Sequence, residues 1–185
     1  MIIREYGDSA ARVILVQPVG QHELPLIDDE IVQIGQMTDR PFRYLAVQVE
    51  NWNRDLSPWP APAVFGDEDF GDGAEALLEE ILPLCTEQDK DYIIGGYSLA
   101  GLFALWAGSQ SERFSAVAGV SPSVWFPGYG DYEQAHPIRA EHVYLSLGDR
   151  EEQTKNRAMA AVGNEIRALY ARLQTRKTDC TLEWN

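Results

Sequence analysis

Ser98 stands in Gly95-Gly96-Tyr97-Ser98-Leu99-Ala100-Gly101, between the apolar run Tyr92-Ile93-Ile94 and an apolar segment over residues 99–107. A serine hydroxyl attacks a carbonyl carbon only when three conditions hold. It must be exposed, a base must take its proton, and hydrogen-bond donors must await the developing oxyanion. Small residues on both sides of Ser98 permit the sharp strand-to-helix turn that meets the first condition. Such a turn aims the Leu99 N–H, at the positive end of the following helix, at the substrate oxygen. A second donor is expected from the loop after the first strand, with Val19 the first choice and Gly20 the reserve. The pattern departs from Gly-x-Ser-x-Gly in placing Ala100 fifth and glycine one position later. Alanine is small enough for the same turn. The plainer alternative is that Ser98 caps the helix that follows it, but a strand before and a helix after are the context a nucleophile needs.

The acid of such a site orients the base and stabilises its protonated form. Leu147-Gly148-Asp149-Arg150-Glu151-Glu152 follows a later apolar strand. Glu151 is the first choice, because Gly148 three positions earlier leaves it room to point back across the rim; Glu152 and Asp149 are reserves. The alternative for any one of them is an acidic start to the next helix, where negative charge is favourable. The base is harder to place. His142 immediately precedes a strand, which puts it at the opposite end of the sheet from Ser98, and His136 lies in the connection before it. His22 sits in the first loop and stands before the serine in the chain. The expected position is just after Glu183-Trp184-Asn185, and there the 185 residues stop.

The elements that must position these groups follow from apolar periodicity. Residues 12–17, 43–49, 92–95, 114–120, 143–147 and 180–184 are short runs rich in β-branched and aromatic residues, hence buried strands. Helices are expected over 29–37, over 74–82 with Asp72 as cap, over 99–107 and over 154–173, where Met159, Val162, Ile166, Leu169 and Leu173 recur at three- and four-residue intervals. Alternation of uniformly apolar strands with helices predicts an α/β fold, a mainly parallel sheet with helices on both faces. In such sheets reactive loops gather at the carboxyl ends of the strands. Trp52, Trp59 and Trp125 lie on loops leaving those ends, where they would wall an acyl or alcohol pocket or simply pack the loops down. Arg54 and Asp55 are expected to pin their loop as a pair.

Length and composition bound the rest. A chain of 185 residues suits one domain spanning 1–185. The formal net charge of −14 disfavours nucleic acid and anionic membrane as partners. No apolar run approaches the roughly 18 residues of a membrane span, and the opening residues lack a secretory pattern, so a cytoplasmic location is expected. Cys85 and Cys180 form no Cys-x-x-Cys unit and are expected to be buried thiols. No metal or organic cofactor is implied; a small molecule is the expected partner, and oligomeric state is not legible.

These residues resemble the α/β-hydrolase fold and, within it, the esterase family that includes esterase D and the siderophore esterases. The resemblance rests on residues 96–104 around Ser98, on Ser121-Pro122-Ser123-Val124-Trp125, on Asn53-Arg54-Asp55-Leu56-Ser57-Pro58-Trp59, and on Gly148-x-x-Glu151. It covers most of the chain from Ile14 onward. It implies hydrolysis of a small carboxylic ester, with Ser98 as nucleophile, Glu151 as acid and a histidine after the last strand as base. The sequence departs from the family at that histidine, which implies a shortened chain. A catalytically silent binding protein and an acyltransferase are the alternatives.

Overall fold

The computed structural model describes residues 2–64 and 66–185. Its strands are β1 (Ile2–Gly7), β2 (Val13–Val19), β3 (Phe42–Gln48), β4 (Asp91–Tyr97), β5 (Phe114–Val120), β6 (His142–Leu147) and β7 (Asp179–Trp184). They form one sheet in the order β1-β3-β2-β4-β5-β6-β7. β1 runs antiparallel to β3, and every other neighbouring pair is parallel. The helices are α1 (Ile27–Met37), α2 (Trp52–Asp55), α3 (Ala74–Ile81), α4 (Leu99–Gln110), α5 (Tyr129–Ala135), α6 (Arg157–Ala160) and α7 (Val162–Thr175). The expected α/β architecture with helices on both faces is the one observed.

Alternation of side chains along each strand sorts them into two cores. On one face Ile14, Val16, Leu45, Val47, Tyr92, Ile94, Val117 and Val143 pack against α3, α4 and α7. On the other, Val19, Tyr44 and Ala46 pack with Ile27, Ile31 and Ile34 of α1. The direction of each crossover decides the face. Parallel crossovers are almost always right-handed, so connections that step from β3 towards β7 all land on one face. Only the β2–α1–β3 connection, which steps the other way, lands on the opposite one. In α4 every residue from Leu99 to Ser109 is buried, as its uniformly apolar composition demands.

Several features depart from the reading of the sequence. β1 was not foreseen: an edge strand paired on one side, it has only Ile3 and Tyr6 half-buried and the rest exposed, and it lacks the apolar run that marks a buried strand. The helix expected over 154–173 is broken, because the Asn156 side chain accepts from the Ala158 and Met159 N–H groups and starts α6 as a separate turn before α7. α3 is capped by Gly73 with no side-chain bond, so Asp72 is not its cap. α5, also unforeseen, follows Gly128, whose positive φ of 82° turns the chain into it. Cys85 is buried and burial pushes its thiol up to about 12, whereas Cys180 is only partly buried. Among the described residues no helix is long and apolar enough to cross a membrane.

The last turn of α1 carries an exposed glycine, Gly35, beside which an added methyl group would meet nothing within 4 Å. Glycine in a helix interior costs about 0.5–1 kcal/mol relative to alanine. Gly35→Ala is therefore expected to raise the unfolding free energy by about that amount, measured by urea denaturation; a decrease would mean that α1 is not a regular helix in solution.

Candidate active site

β4 delivers Ser98 to the carboxyl rim of the sheet, and α4 begins at the next residue. Ser98 has φ 56° and ψ −118°, a conformation that costs a non-glycine residue about 1–3 kcal/mol and persists only where its surroundings enforce it. Three backbone bonds do so. The Ser98 N–H donates to the Val120 carbonyl at 3.0 Å, and the Ser98 carbonyl accepts from Leu102 N–H at 3.1 Å and Ser123 N–H at 3.0 Å. The hydroxyl makes no capping bond to α4. It lies 3.4 Å from Ser123 Oγ.

Two glycines allow this turn to sit so close to its surroundings. A Cβ on Gly96 would fall 2.6–2.7 Å from Ala100 atoms, and one on Gly101 would fall 2.8 Å from the Gly96 carbonyl oxygen and 3.1 Å from Pro122. Alanine is accommodated at position 100 because Gly96 opposite it has no side chain, which accounts for the displaced glycine of the motif. The first helical bond of α4 is the one from Leu102 to Ser98. The N–H groups of the preceding turn, Leu99 among them, are those a helix start leaves for a ligand.

Glu151 is fixed at the same rim. Its Oε1 accepts from the Ser121 hydroxyl at 2.6 Å and from the Gly148 N–H at 3.0 Å. Ser121 is itself held in a left-handed conformation with φ 44°, its N–H donating to the Ser146 carbonyl at 2.8 Å. Glu152 faces elsewhere, in a two-pronged ion pair with Arg167. Bonding to that guanidinium holds its carboxyl below the usual range. The Asp149 N–H donates to the Asn185 carbonyl, tying this loop to the end of β7. The Ser121-Pro122-Ser123 loop thus touches both groups, Ser121 the Glu151 carboxylate and Ser123 the Ser98 hydroxyl. The sequence pointed to these serines only through a family resemblance and assigned neither a role; a Ser-Pro-Ser at a strand end on the reactive rim was the available signal.

The remaining candidates scatter. Val19 is fully buried, its carbonyl accepting from Val49 N–H, and the Gly20 N–H is engaged by the Glu23 carboxylate at 2.7 Å. Trp52 packs edge-on with His22. Trp59 is drawn into the fold, its indole N–H donating to the Pro127 carbonyl and its ring lying against Phe126 and Tyr132. Trp125 is half-buried against Phe70. Arg54 and Asp55 pair at 2.7 Å, and Asp55 also accepts from the Glu50 and Asn51 N–H groups, pinning the start of α2. A groove of about 250 Å³ lined by Val19, Gly96, Tyr97 and Val120 adjoins the serine turn.

No histidine bonds to Ser98 or Glu151 among the described residues. His142 pairs with Asp179 at the amino end of β6, and the His136 ring stacks on Tyr132. The His22 ring fills the space above Gly20. Among the described residues no group of three or more His, Cys, Asp or Glu side chains could hold a metal ion.

A mainly parallel sheet with helices on both faces and a strained serine between β4 and α4 define the α/β-hydrolase fold. No family's sequence pattern matches the chain, and no curated protein does. Solved structures do. The siderophore hydrolase EstA from Aspergillus nidulans superposes with a TM-score of 0.66 at 16% identity, over 99% of this chain and 81% of that one. The enterobactin and salmochelin hydrolase IroE gives 0.62 at 16%, over 98% and 79%. Esterase PE8 gives 0.60 at 18%, over 100% and 87%.

Proposed function

We propose that this chain carries the nucleophile, acid and oxyanion donors of a serine hydrolase acting on a small carboxylic ester. The observation that carries the reading is the Ser98 hydroxyl, held on a strained turn without capping its helix and joined through one loop to the carboxylate of Glu151. In the reaction Ser98 Oγ attacks the ester carbonyl as a base takes its proton. The tetrahedral oxyanion is met by the Leu99 N–H and a donor at Val19, and the alkoxide leaves with the proton returned by the base. Water then cleaves the acyl-serine by the same steps, releasing the acid. Glu151 orients the base and stabilises its charged form. The base has to reach the rim beside the Glu151 loop, where Asn185 is bonded to Leu147 and Asp149, and none of His22, His136 and His142 bonds to Ser98 or Glu151 there. Trp52 and Trp125 border the substrate. That solved neighbours named as esterases and siderophore hydrolases share the fold agrees with this reading. The substrate is a small molecule rather than nucleic acid or membrane, given the charge of −14, and the setting is the cytoplasm.

The positions of His22, His136 and His142 favour a second reading, in which the 185 residues bind an ester without turning it over. Expression from the gene through the codons beyond Asn185 separates the two. The read-through protein is expected to be labelled by a fluorophosphonate on Ser98, located by mass spectrometry, and the label is expected to vanish in Ser98→Ala. Labelling elsewhere, or unchanged labelling of Ser98→Ala, would overturn the nucleophile; a stop codon after Asn185 leaves the silent protein.

A further inference from the structure

Apart from glycines, three described residues carry a positive φ: Ser98, Ser121 and Lys177. Lys177 lies in the exposed turn after α7. The two serines follow β4 and β5, which are neighbours in the sheet. Elsewhere the chain takes this backbone with glycine, at Gly7, Gly66 and Gly128, because glycine adopts it without steric cost. A serine kept in such a position has to supply something that glycine could not. The backbone of Ser121 is not that thing. Its N–H donates to the Ser146 carbonyl, and a glycine would make the same bond and tie the loops after β5 and β6 together equally well. What glycine lacks is the hydroxyl.

We infer that Ser121 is a positioning residue of the esterase site: its hydroxyl, held out by the strained backbone, locks Glu151 so that one carboxylate oxygen is left facing the base. The inference rests on the roles proposed above for Ser98 and Glu151. Among the described residues the Glu151 carboxylate accepts two hydrogen bonds, from the Ser121 hydroxyl at 2.6 Å and from the Gly148 N–H at 3.0 Å, and both end on Oε1. Oε2 stays free to accept from an imidazole N–H. The two donors come from different loops, one after β5 and one after β6, so together they fix Oε1 and thereby the direction of Oε2. Gly148 permits the close fit, since a Cβ there would fall 2.8 Å from Oε1 and 3.3 Å from Cγ of Glu151. A bond from a hydroxyl to a charged acceptor is short and strong. Without it the carboxylate keeps one donor, about which it can swing, and the geometry that an oriented base requires is lost.

Three variants of the read-through protein, Ser121→Gly, Ser121→Ala and Ser121→Thr, separate this role from a merely structural one, with p-nitrophenyl acetate kinetics and thermal midpoints as the readouts. Glycine and alanine are expected to lower kcat by about 10- to 100-fold, the worth of a hydrogen bond to a charged group, with KM unchanged because the hydroxyl is spent on Glu151. Ser121→Gly is expected to melt above Ser121→Ala, since it relaxes the left-handed backbone. Ser121→Thr keeps the hydroxyl while adding a methyl group to the strained residue, so it is expected to retain most of the parent kcat and to melt below the parent. Turnover then follows the hydroxyl, and stability follows the backbone. Turnover that rose and fell with stability, placing glycine above a folded threonine variant, would overturn the inference and leave Ser121 a pin between loops. If threonine does not fold, glycine against the parent decides, and equal kcat overturns the inference while the esterase stands. A parent that neither turns over the ester nor takes a fluorophosphonate on Ser98 removes the esterase, and the inference with it.

Discussion

Glu151→Gln, made in the read-through protein, is expected to lower kcat for p-nitrophenyl acetate by about 10⁴-fold, the loss seen when a triad acid becomes an amide of the same shape. Glu152→Gln is expected to change it little. The amide at 151 still accepts from Ser121 and Gly148 through its oxygen, so the fold is undisturbed and the thermal midpoint should stay put. What is lost is the negative charge and the second acceptor: an amide NH₂ facing the imidazole N–H selects the wrong tautomer and leaves the imidazolium unstabilised. Glu152, by contrast, is already neutralised by Arg167 on the far side of the turn. Steady-state kinetics of the two variants decides the matter, and the reverse ranking would reassign the acid.

The second large effect is expected from the smallest substitution. Gly101→Ala adds a methyl group that would fall 2.8 Å from the Gly96 carbonyl and 3.1 Å from Pro122 Cα and Cβ. These are backbone or ring atoms with nowhere to go, so the start of α4 has to lift from β4. Overpacking of this kind costs about 1–3 kcal/mol, a large part of the roughly 5–15 kcal/mol by which a domain is stable. The same displacement moves Ser98 relative to Ser123 and the Leu99 N–H, so fluorophosphonate labelling of the read-through protein should fall with stability. Urea denaturation and labelling rate measure the two consequences. Gly35→Ala, the same chemical change where the added methyl meets nothing, is expected to act in the opposite direction. If Gly101→Ala were as stable and as reactive as the parent, the close approach of α4 and β4 would not be what sets the turn.

Much of the scaffold was legible because it is written in local patterns. Apolar runs over 114–120 and 143–147 mark strands, and the uniformly apolar 99–107 marks a helix with no wet side. Strand–helix alternation then leads to a parallel sheet. The misreadings have a common cause. β1 pairs on one side only and carries no apolar run; Asn156 breaks a helix whose hydrophobic period continues through the break; Gly73 takes the cap that Asp72 was expected to provide. In each, the local setting of the chain outweighs or lacks a periodic signal.

Within the candidate site the division is sharper. A serine between glycines, preceded by a strand and followed by a helix, identifies the turn from sequence, since turn chemistry is local. Everything that joins it to its neighbours spans long distances along the chain. Ser121 meets Glu151 thirty residues away, and Trp59 meets Pro127 sixty-eight residues away; no window of sequence contains either pair. Tertiary structure alone decided that Ser121 and Ser123 bridge Glu151 and Ser98, that Trp59 packs a loop, and that Gly96 and Gly101 are the glycines the turn requires. It also decided which face of β4 to β7 their connections cover. That follows from the order and handedness of the strands, properties of how the elements pack rather than of any residue within them.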